Sequence, residues 1–139
     1  MRQKKIRFVF VIGLMLIIFL FFLSGCKSVE LQAIEDSASV LQITTGREVS
    51  RSLQDKGKAL GKPVYAKIII EYEPINNHTR KEVYEEIVAI LEKNNWVGSE
   101  PITSYEYFEA TLQQRGFEIS TGVATDENKN LVTIIMAIY

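Results

Sequence analysis

Cysteine is almost absent: the 139-residue chain has one, Cys26, so no internal disulfide can staple the fold and stability must come from burial. Histidine is as scarce. The sole one, His78, stands in the turn Pro74-Ile75-Asn76-Asn77-His78, just before a helix start, where the helix dipole disfavours a protonated imidazole. Nucleophilic catalysis needs a base beside its nucleophile, and a lone turn histidine reads as a solvated or capping residue. Without a His or Cys cluster there is no metal-ligand set. Glycine-rich phosphate loops, internal repeats and low-complexity tracts are missing too. No catalytic residue, metal or cofactor is assigned on these grounds.

What is present begins at the N-terminus. Arg2, Lys4, Lys5 and Arg7 precede an uncharged apolar run from Phe8 to Leu23, with Gly13 its only residue lacking a side chain. A basic start, an apolar middle and small residues at a cut point make a secretory signal. The closing residues Leu23, Ser24, Gly25 and Cys26 resemble the lipobox of bacterial lipoproteins. The resemblance implies that the Cys26 sulfur takes a diacylglyceryl group and that the bond before it is cut, making Cys26 the first mature residue. It covers the export signal alone, and it implies a lipid anchor on the extracytoplasmic side of a bacterial cell envelope. Lys27 is not the aspartate that marks inner-membrane retention in such lipoproteins, so the outer membrane is favoured where the organism has one. Two other readings stay open. A spanning helix wants about 20 apolar residues; with Ile6 added the run nearly serves as an uncleaved signal-anchor of an envelope protein. Cys26 read as a free or buried thiol is disfavoured, because a lone thiol in an oxidising compartment invites intermolecular pairing.

The organisation that follows is a signal peptide over 1–25, a tether over 26–45 and one small domain over 46–139. All 17 acidic residues but only 12 of the 16 basic ones follow residue 25, so the remainder carries a formal charge of about −5 although the whole chain sums to −1. That balance argues against a nucleic-acid partner, since phosphate contacts need clustered Lys and Arg.

Along the domain, Lys27 to Ser39 is weakly patterned and not rich in Gly or Pro, suiting a tether or a short element that docks after folding. Thr45 and Glu48 fit a capping box, and Val49, Leu53 and Leu60 share a helical face, which suggests a weak helix over Gly46–Gly61. Val64 to Glu73 alternates as a strand with Val64, Ala66, Ile68, Ile70 and Tyr72 inward. Thr79 to Asn95 is the best helix, with the capping pair Thr79 and Glu82 and the stripe Val83, Tyr84, Ile87, Val88 and Leu91. Trp96 is expected to fold back as a core plug. Tyr105 to Gln113 reads as a strand, or as a helix capped by Thr103 and Glu106; the strand is preferred because strands then recur every 10–12 residues. Phe117–Thr125 and Leu131–Tyr139 complete the set. The expected class is α+β: strand and helix, then a three-stranded antiparallel meander, with one amphipathic helix on one sheet face and a weak N-terminal helix.

On that arrangement the other sheet face holds Tyr65, Ile69, Tyr107, Ile135 and Tyr139 among Lys67, Glu71 and Glu109. It is too apolar for a solvated surface and too polar for a sealed core. Either the segment Ser39–Leu60 folds over it, which is the narrower preference, or a protein partner in the envelope does. The functional expectation is a membrane-anchored lipoprotein whose domain binds or scaffolds without catalysis. The enzymatic alternative is a small hydrolase using Glu71 and Glu73 as an acid–base pair, though a solvated edge explains them equally well.

Overall fold

A computed structural model describes residues 27–59, 62–98 and 107–139 of the chain, and about half of the described residues lie in one sheet. The apolar run, Leu23, Ser24, Gly25 and Cys26 lie outside the described residues, as do Thr103 and Glu106. In chain order the elements are α1 (Val29–Ala38), β1 (Gly46–Ala59), β2 (Lys62–Pro74), α2 (Arg80–Lys93), β3 (Val97–Gly98), β4 (Tyr107–Gln114), β5 (Phe117–Asp126) and β6 (Leu131–Ile138). The strands form one six-stranded sheet in the order β1-β2-β6-β5-β4-β3, with antiparallel neighbours.

The expected α+β arrangement of a strand, a helix and a three-stranded meander is overturned by this sheet and its two helices. Its clearest failure is Gly46–Gly61, where the described residues are strand β1 and not a weak helix. β1 pairs with β2 from Gly46↔Pro74 to Ala59↔Lys62, broken by one bulge between Glu48 and Ser50. Tertiary pairing overrode a marginal local preference there. The supposed cap was illusory: Thr45 donates to Glu86 of α2, and Glu48 accepts from Arg51 at 2.7 Å. Val49 and Leu53, taken for a helical stripe, are 44% and 43% exposed on an edge strand.

Within the segment expected to serve as a tether, Val29–Ala38 is helix α1, burying Leu31, Ala33, Ile34, Ser37 and Ala38. Its N-cap is Ser28, whose hydroxyl accepts from the Leu31 amide at 3.1 Å. At α2 the Thr79 hydroxyl accepts from the Glu82 amide, and the Glu82 carboxylate accepts from the Thr79 amide at 2.6 Å. That second bond holds the Glu82 carboxyl below its usual range. Val83, Ile87 and Leu91 on α2 are fully buried.

Both helices pack on one face, against Ile68 and Ile70 of β2, Val132, Ile134 and Met136 of β6, and Ile119 and Val123 of β5. Trp96 closes this core at 4% exposure. Gly46 lets the sheet lie close against α2, since a Cβ there would come within 3.0 Å of Val83. Glu86 locks the loop before β1 onto α2: its carboxylate accepts from the amides of Thr44 and Thr45 and from both hydroxyls, at 2.6–3.0 Å. Burial disfavours its charge, but those four donors outweigh burial and lower its pKa to about 2.

Candidate functional site

The face turned away from the helices carries the alternate residues of the same strands. Register fixes who meets whom, because directly paired residues share a face. One row runs Ser52, Ile69, Ile135, Gly122, Glu109 across β1, β2, β6, β5 and β4. The next pairs Lys67, Ala137, Ser120, Thr111 and Val97, and another pairs Glu71, Thr133, Ala124 and Tyr107. On β5 the three central positions of this face are therefore Ser120, Gly122 and Ala124, all small.

Small residues on one strand between larger ones on its neighbours make a trough. Its volume is about 720 Å³, and its lining includes Ser120, Gly122 and Ala124 of β5, Ile135 and Tyr139 from the β6 side, Tyr107 and Glu109 of β4, and Val97 of β3. The walls stand two strand spacings apart, about 9.5 Å. Tyr107 leans over Gly122, its hydroxyl oxygen 3.5 Å from where a Cβ would sit, so the ring covers backbone that glycine leaves bare. Its hydroxyl donates to Glu109. That bond favours the neutral phenol and, with partial burial and the negative charge of Glu109, pushes the Tyr107 pKa up to about 12. The trough thus offers apolar walls, one carboxylate and several hydroxyls.

All five residues expected on the partner face lie on this side of the sheet. Tyr107, Ile135 and Tyr139 line the trough; Tyr65 and Ile69 lie on the same face outside that lining, with Ile69 directly beside Ile135. Ile135, Tyr65 and Tyr139 are 40%, 49% and 51% exposed. The preferred expectation that Ser39–Leu60 covers this face is overturned. Among the described residues of that segment, Leu41 joins the core, Thr44 and Thr45 bind α2, and Gly46–Ala59 pairs at the sheet edge. Sequence reasoning missed the β5 floor and Val97; the signal was the alternation Ser120, Gly122, Ala124 inside a strand.

Glu71 and Glu73 share this face but neither lines the trough, and Glu73 is ion-paired with Arg47. His78 Nδ1 lies 3.6 Å from Glu82 Oε1, beside the cap of α2. Among the described residues no group of three or more His, Cys, Asp or Glu could hold a metal ion, and no helix is long and apolar enough to cross a membrane. No protein-family model matches this chain, and none of the curated proteins matches it.

Proposed function

We propose that this chain is a lipoprotein of the bacterial cell envelope, held on the extracytoplasmic side through Cys26, whose domain binds a protein partner along the β5 trough. The observation that carries the binding half is the trough itself: a concave, tyrosine-walled face that no described element covers. A concave face that mixes exposed apolar side chains with a polar rim is suited to an interaction site. A floor of small residues along one strand suits an extended polypeptide segment whose apolar side chains reach between Ile135 and Tyr107. Tyrosine fits such a wall because its ring is large and rigid and its tip tolerates water. The lipobox residues carry the anchoring half, and acyl chains on Cys26 would hold the domain at the membrane surface.

The two halves are tested separately. Cys26→Ala should leave an unprocessed, unlabelled precursor in the membrane; normal processing and release of that variant would sink the lipobox reading. For the trough, a photo-crosslinker at Ile135 should capture a discrete envelope protein in cells, and Tyr107→Ala should weaken that association by at least about 2 kcal/mol. Equal capture from Asn128, in the distant β5–β6 turn, would refute the trough as the binding site. Adducts containing only this chain would replace the foreign partner by self-association.

A further inference from the structure

A sheet edge exposes a row of unpaired amides and carbonyls on which another strand can form, and long edges are commonly blunted by bulges, charges or a covering element. The two edges of this sheet differ. β3 contributes Val97 and Gly98 alone to one edge, whereas β1 runs the whole length Gly46–Ala59 along the other. Among the described residues, β2 is the only strand that pairs with β1. Arg47 through Leu53 are all exposed, as are Asp55 and Lys56, and this exposed set includes the large apolar side chains of Val49 and Leu53.

Two kinks interrupt β1. One is the bulge between Glu48 and Ser50; the other is Lys56, in a left-handed backbone conformation with φ 60°. Between them β1 pairs with β2 residue for residue, from Ser50↔Glu71 to Asp55↔Ala66. Ser50, where the bulge ends, and Lys56 are equidistant from Leu53. What is left unblunted is a regular run centred on Leu53, with Arg51 before it and Asp55 after it. These three share the helix side of the sheet, because their partners Ile70, Ile68 and Ala66 are buried there.

Charge decides which strand suits this edge. When two copies pair antiparallel about a two-fold axis, opposed residues share a face and the central residue meets itself. Centring on Arg51 or Asp55 sets like charge against like. Centring on Ser52 sets Arg51 against Leu53 and Asp55 against Val49, and centring on Gln54 sets Leu53 against Asp55. Centring on Leu53 sets Arg51 against Asp55 on both sides of the axis, Ser52 against Gln54, and Leu53 against Leu53. It also lays one copy's bulge end opposite the other copy's Lys56. Arg51 already donates to Glu48 at 2.7 Å and Asp55 already accepts from the Ser28 hydroxyl at 2.8 Å. A guanidinium has further donors and a carboxylate further lone pairs, so neither bond need break.

We infer that β1 is a self-association edge: two copies of this chain pair antiparallel through Arg51–Asp55 about an axis at Leu53, joining their sheets into one. Both pairs of helices then lie on one side of the joint sheet and both troughs on the other. The contact is short, so the association is weak and depends on concentration. The inference rests on neither the lipid anchor nor the trough, and its failure leaves the proposed function untouched.

The test uses the full chain in detergent micelles, with the parent chain carrying Cys26 alone as background. In this register Leu53→Cys meets its own copy at a Cα separation of about 4.5–5.5 Å, within reach of a disulfide. Mild oxidation should give far more covalent dimer from Leu53→Cys than from Asn128→Cys in the β5–β6 turn. Separate chains with Ser52→Cys and Gln54→Cys should cross-link to each other in preference to themselves, which fixes the register. In the Leu53→Cys background, Arg51→Asp and Asp55→Arg each oppose like charges twice and should cut the dimer about tenfold. Mixed together, those two variants regain opposite charges at both positions and should recover it. Equal yields at Leu53→Cys and Asn128→Cys overturn the inference, as does a mixture of Ser52→Cys and Gln54→Cys that cross-links no better than either alone. An undiminished dimer in both charge variants overturns it too. A Leu53→Cys adduct of this chain with a different protein overturns the second copy and makes the edge a site for a foreign strand. The cysteine pairs keep the native charges, so they decide the case even where Asp55→Arg fails to fold for want of its bond to Ser28.

Discussion

The two faces of this sheet are built by the same strands, one residue out of step, and they have opposite fates. On β6, Ile134 is completely buried while its neighbour Ile135 is 40% exposed. On β2, Ile68 and Ile70 face the helices and Ile69 faces the other way, beside Ile135. Residue chemistry does not separate these isoleucines; position relative to two helices does. Where α1 and α2 lie, the sheet closes into a core of large branched side chains. Where they do not, β5 carries Ser120, Gly122 and Ala124, and the shortage of bulk leaves a trough instead of a filled layer. A β-branched run therefore marks a pleated surface, and helix placement decides which side of it becomes interior.

The contrast is broken most severely by truncating the same residue type on each face. Ile134→Ala should cost about 2–5 kcal/mol through the cavity it leaves among fully packed neighbours. Ile135→Ala should cost below about 1 kcal/mol, as surface substitutions do. Denaturant melts of both variants measure this, and equal losses would mean the open face is packed in solution. The next effect concerns the lock that ties the covered side shut. Glu86 has a depressed folded-state pKa, so its contribution is present above the unfolded value of about 4.5 and disappears as pH falls toward about 2. Allowing for its partial exposure, that contribution is about 1–2 kcal/mol. Glu86→Gln should lower stability at neutral pH and flatten its decline between those two pH values. Smallest is the effect on the open face. Tyr107 should titrate near pH 12, held neutral by its bond to Glu109. Its sign is opposite: the stabilisation is full below the unfolded value of about 10 and lost as pH rises through about 12. In Glu109→Gln the ultraviolet phenolate titration should show that tyrosine ionising earlier; an unchanged curve would mean the pair does not exist in solution.

Certain features needed nothing beyond neighbouring residues. Thr79 and Glu82 cap α2 from three positions apart, and the stripe Val83, Ile87, Leu91 follows from helical geometry, so a local reading reaches them. Strict alternation on β2 likewise splits Ile68 and Ile70 from Ile69 and Tyr65 before any partner strand is known. That is why the residues of the open face were legible as a set. Other features were decided only by tertiary structure. β1 has too few apolar residues to announce itself and becomes a strand because β2 offers a full ladder of hydrogen bonds. α1 signals weakly, since Ala33, Ser37 and Ala38 are small, and it is held by a core that its own sequence does not contain. Whether Tyr107 meets Ile135 across Gly122 depends on the register of three strands, and whether anything lies over them depends on where the loop after α1 runs. Glu86 sends that loop to the helix side, through bonds to Thr44 and Thr45, 42 and 41 residues away. Short-range order is written in adjacent side chains; the choice between a buried and an open face rests on contacts between residues far apart in the chain, which local pattern does not encode.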